Sequence, residues 1–132
     1  MIRVQTPKGR FNRYASVATG TSDAAALAAR AAAIVTASIF YPRGGAKGSR
    51  PDLTPEARKR LLATVAALHD AANRLDPPAG SPDLESGLSS LREADTALRS
   101  IDESTLTAGI IRVCGEALAL IEQADHAART SP

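Results

Sequence analysis

Two histidines, one cysteine and fourteen carboxylates are the groups in this 132-residue chain from which catalysis or metal binding would have to be built. A helical metal site wants ligands at i and i+4, so that two side chains face one ion. The neighbours of His69 at that spacing are Val65 and Asn73, and neither is a suitable ligand. Glu122 does precede His126 by four residues, but one pair near a chain end is too little to hold an ion. Di-metal helical bundles need a glutamate three residues before each histidine. Ala66 and Gln123 occupy those positions here. Cys114 has no histidine close in sequence and no second cysteine to pair with, which suits a buried inert thiol flanking an apolar stripe. No Gly-x-Ser-x-Gly elbow is present, and in Gly44–Ser49 the lysine, Lys47, precedes the glycine it would have to follow in a phosphate loop. The sequence therefore assigns no catalytic residue, no metal ligand and no cofactor. A phosphocarrier role for His69 is the least supported reading.

The residues that do form a pattern are basic. Arg3, Lys8, Arg10, Phe11, Arg13 and Tyr14 interleave cations with aromatic rings, so that phosphate contacts and base stacking can occur together. Arg43, Lys47 and Arg50 lie in a glycine-rich stretch able to follow a phosphate backbone, and Arg58, Lys59 and Arg60 add charge just beyond it. The net charge of +2 hides a division: residues 1–60 carry eleven basic and three acidic side chains, and residues 61–132 carry five and eleven. A basic half of this kind points to an anionic partner, either nucleic acid or an acidic protein surface. The competing expectation is a self-assembling subunit, a homo-oligomer in which the basic half of one copy meets the acidic half of the next.

These segments need a scaffold, and the chain reads as all-α. Alanine, the best helix former, is its commonest residue. The spacing predicts a first helix over about Ser22–Phe40, capped by Thr21 or Ser22, with Leu27, Ile34, Val35 and Ile39 on its inner side. Thr54-Pro55-Glu56 opens a second, whose Leu61, Val65, Leu68, Ala72 and Leu75 recur at helical spacing until Asp76-Pro77-Pro78. Ser81-Pro82-Asp83 starts a third, with Leu84, Leu88, Leu91 and Leu98 on the seam and Asp95 as its one acid. A fourth covers about Thr105–Ala127, and with no Gly or Pro in the link the last two helices are also compatible with one continuous helix. Gly109 and Gly115 are expected where another helix crosses closely, and no internal repeat is apparent. Arg30, the single base of the first helix, would be satisfied by a buried pair with Asp95. The expected architecture is a four-helix bundle (residues 21–132) with a basic N-terminal arm or short hairpin (1–20) and a Gly-rich basic loop.

Composition sets the remaining expectations. Hydrophobic residues at 44% and charged residues at 23% suit a globular domain, and 3% aromatic content implies a small-residue core. The excess of 13 arginines over 3 lysines points to a GC-rich, bacterial genome. The N-terminus lacks the apolar region of a secretory signal. The most apolar stretch, Ala24–Tyr41, is rich in alanine and carries Arg30, which suits a buried helix better than a membrane span. A cytoplasmic location without membrane contact is expected.

Overall fold

The computed structural model describes residues 19–40 and 53–130. They form four helices, α1 (Gly20–Phe40), α2 (Pro55–Leu75), α3 (Leu84–Arg99) and α4 (Ala108–Arg129), with a short 3-10 turn at Glu103–Thr105 and no strand among them. The helices pack against one another as a bundle. α1 lies against α2 and α4, α2 also against α3, and α3 and α4 meet less extensively than the other neighbours. Successive helices run antiparallel: the Ser22 hydroxyl at the start of α1 reaches the Asp76 carboxylate at the end of α2, and Arg60 in early α2 donates to Ser100 just past α3. The link 100–107, with its 3-10 turn, is too short to run back along α3, so α4 returns beside it in the opposite direction. The expected N-terminal arm or hairpin and the glycine-rich loop fall outside the described residues.

Local chemistry accounts for the helix ends. Thr54 caps α2, its hydroxyl accepting from the Ala57 amide at 3.1 Å, with Pro55 at the first helical position. α3 corrects its expected start. Asp83 is the cap, accepting from the Ser86 amide, because its own amide is held by the Arg74 carbonyl at the end of α2. Ser81 and Pro82 thus precede the helix. α1 begins at Gly20, and the group closing its first turn is Asp23, which accepts from the Thr19 amide, not Thr21 or Ser22. α3 and α4 are separate helices. Asp102 caps the 3-10 turn and Thr107 caps α4, so two capping side chains do what glycine or proline does elsewhere, and α4 starts three residues later than expected.

The core is built mainly from leucine on one side and alanine on the other. α2 contributes Leu61, Leu68 and Leu75, α3 contributes Leu91 and Leu98, and α4 contributes Ile110 and Ile121. α1 buries Ala24, Ala25, Ala28, Ala31 and Ala32 together with Val35 and Ile39, while Leu27 and Ile34 are only half-buried. Its inner face is therefore mostly alanine, completed by Val35 and Ile39 as expected, while Leu27 and Ile34 lie at the margin. α1 is also long and apolar enough, by length and composition, to cross a membrane. The buried hydroxyls follow the rule for interior polar groups: Thr64 donates to the Arg60 carbonyl and Ser38 to that of Val35.

One glycine marks a close approach. A Cβ on Gly87 of α3 would stand 2.5 Å from Cγ and Cδ2 of the buried Leu75. Gly109 and Gly115, where crossings were expected, have open space around them. On α4 the longer side chains of Ile110 and Ile121 face inward, leaving those glycines on the outer side.

Candidate functional site

The residues expected to bind an anion, Arg3, Lys8, Arg10, Phe11, Arg13, Tyr14, Arg43, Lys47 and Arg50, all lie outside the described residues. Their neighbours are nonetheless informative. The segment 1–18 precedes the first turn of α1, and the segment 41–52 runs from the end of α1 toward the start of α2. Residues 19–40 and 53–130 carry nine basic and thirteen acidic side chains, a net −4. Residues 1–18 and 41–52 carry seven basic and one acidic, a net +6. The described residues are net acidic, and the surplus of positive charge lies in the two stretches that flank α1 in sequence.

Four of the nine basic side chains among the described residues pair with an acid on their own helix. Glu56–Arg60, Asp70–Arg74, Asp95–Arg99 and Asp125–Arg129 are i,i+4 ion pairs of 2.8 to 2.9 Å. In each the acid precedes the base, the orientation that also suits the helix dipole. Asp95 is therefore half-buried beside Arg99, and Arg30 is exposed. The buried Arg30–Asp95 pair does not form, because α1 and α3 occupy diagonal positions in the bundle.

Asp70 has a further role. Its carboxylate accepts from Arg74 at 2.8 Å and from the buried Ser90 hydroxyl of α3 at 2.6 Å, tying α2 to α3. The hydrogen bonds from Ser90 and then Arg74 hold its pKa below the ordinary 3.8. A depressed folded-state pKa contributes stability above the unfolded value, and that contribution is lost as pH falls through the folded value. The urea midpoint should therefore drop as pH falls below about 4, and Asp70→Asn should flatten part of that drop while lowering stability at pH 7. A wild-type profile retained in the variant would remove Asp70 from this role.

His69, beside Asp70, is exposed, as is His126. Cys114 is half-buried rather than buried, and desolvation followed by the nearby Glu103 charge pushes its pKa up, which favours the unreactive thiol. Among the described residues no group of three His, Cys, Asp or Glu side chains gathers to hold a metal ion.

A groove of about 290 Å³ lies between α3 and α4. Leu91 and Ile121 form its floor, with Arg92, Asp95 and Arg99 on one wall and Glu122, Asp125 and Arg129 on the other. No hydrogen bond between side chains and no ion pair links α3 to α4 among the described residues, whereas Asp70–Ser90 and Arg60–Ser100 link α2 to α3. The walls repeat one another at an interval of thirty residues. Leu91-Arg92-Glu93-Ala94-Asp95-Thr96-Ala97-Leu98-Arg99 corresponds to Ile121-Glu122-Gln123-Ala124-Asp125-His126-Ala127-Ala128-Arg129. This short repeat was missed in the linear sequence, where its signal was the Asp-x-Ala-x-Arg spacing that also ends α2 at Asp70–Arg74.

Comparison of the chain with protein families, curated proteins and solved structures finds no match in any of the three.

Proposed function

We propose that this chain is a non-enzymatic helical module that carries two basic segments to an anionic partner, with nucleic acid as the first partner to test. The observation that supports the reading is the uneven charge along the sequence: net −4 over residues 19–40 and 53–130, net +6 over residues 1–18 and 41–52. An acidic scaffold repels a polyanion, so the segments are where contact is favourable, and Phe11 and Tyr14 add rings on which unpaired bases stack. The reading places the protein in the cytoplasm. The same division also favours a second reading, in which the basic segments of one copy meet the acidic scaffold of another.

Fluorescence anisotropy with a labelled single strand and a labelled duplex, across a salt series, separates the two. Each phosphate contact on a duplex contributes about 0.9 to the slope of log K against log salt, so losing four cations lowers the slope by about 3 to 4. The variant Arg3→Ala/Lys8→Ala/Arg10→Ala/Arg13→Ala is expected to show that loss while keeping the helical circular dichroism of the wild type. Absence of binding by the wild type at low salt overturns the nucleic-acid reading. Salt-sensitive self-association abolished by the same variant would establish the second.

A further inference from the structure

We propose that the α3–α4 groove is a contact face between two copies of this chain, related by a twofold axis parallel to the helices. The groove's internal symmetry carries the argument. α3 and α4 run antiparallel, so the thirty-residue correspondence puts Asp95–Arg99 at one end of the groove and Asp125–Arg129 at the other, with positions 92 and 122 at its middle. The walls match in charge at the ends and are opposite at the middle, where Arg92 stands against Glu122. The end pairs neutralise themselves within their own helices at 2.9 and 2.8 Å. Among the described residues neither Arg92 nor Glu122 has an ion-pair partner, so the unneutralised charge of the groove is one cation and one anion on opposite walls.

Two face-to-face arrangements with twofold symmetry are available to such a surface. An axis across the helices lays α3 on the partner's α3 and sets Arg92 over its own counterpart, which repels. An axis along the helices lays α3 on the partner's α4, antiparallel to it, and sets Arg92 over the partner's Glu122 twice. Like-charge juxtaposition suppresses the first and complementary charge selects the second. The self-neutralised Asp–Arg pairs then fall toward the ends of the face, where a polar rim stays in contact with water. This contact uses none of the basic residues of the proposed function, so either reading can fail alone.

Sedimentation equilibrium of the full chain, from micromolar to millimolar concentration and at two salt levels, tests it. The wild type is expected to form a reversible dimer that weakens with salt. Arg92→Glu and Glu122→Arg should each raise the dissociation constant at least about tenfold, because like charges then meet across the face. The combined Arg92→Glu/Glu122→Arg variant should return it to near the wild-type value. Circular dichroism of each variant confirms that the helices are retained. A monomer at every concentration, a dimer indifferent to the single reversals, or a double variant that is not restored overturns the proposal. So does a dimer lost in the Arg3/Lys8/Arg10/Arg13 alanine variant, which would place the contact on the basic segments.

Discussion

Truncating Leu68 to alanine should destabilise the bundle by about 2–5 kcal/mol, visible as a lower urea midpoint with an unchanged slope. Leu68 is fully buried near the middle of α2, the helix that packs on both α1 and α3. The size of the cost depends on whether neighbours can collapse into the space left behind. On the α1 side they are poorly equipped to do so, because that face consists largely of alanine, which has no rotamers with which to fill a cavity. Domains of this kind are stable by roughly 5–15 kcal/mol, so the loss is a large share of the total. Leu62, six residues earlier and exposed, is the control: Leu62→Ala should stay within about 0.5 kcal/mol. Equal effects at the two positions would contradict the burial pattern of α2.

The opposite change in α1 should also be costly. Ala28→Leu adds three heavy atoms at a fully buried position against helices already in contact, and overpacking of that kind costs about 1–3 kcal/mol. Leucine and alanine differ little in helix propensity, so the penalty reports packing and not backbone preference. Ala29, the next residue, is exposed, and Ala29→Leu should be close to neutral. The pair of substitutions is read by thermal or urea denaturation. A neutral Ala28→Leu would mean that α1 does not pack through its alanines.

That pair also shows why some of this fold was legible in the sequence and some was not. The stripe of α2 was legible because leucines alternate with polar residues, and three of its five predicted members are fully buried. α1 offered no such contrast. Buried Ala24, Ala25, Ala28, Ala31 and Ala32 look in sequence like exposed Ala26, Ala29, Ala33 and Ala37, so only the larger residues signalled a face, and of these Val35 and Ile39 are buried while Leu27 and Ile34 are marginal. Close approach was likewise misplaced. Gly109 and Gly115 were conspicuous in an apolar helix, but Gly87 is the residue whose missing side chain makes room for Leu75. Asp95 read as an anomaly on a leucine seam because its position was judged by the seam alone. Its partner, Arg99, was four residues away on the same helix, a spacing that needs no tertiary structure to recognise. The candidate binding residues were legible as charge and aromatic pattern only.

α1 sets a length as well as a packing face. Its 21 residues rise about 30 Å, and the two basic segments are attached at its opposite ends. A helix clamped between two others holds that separation as a rigid spacer, comparable to one turn of duplex at about 34 Å. A partner shorter than the spacer offers both attachment points little in common, whereas one that spans it lets the second engagement follow the first at high effective concentration. Under the proposed function, affinity in the anisotropy assay is then expected to rise stepwise with the length of the polyanion.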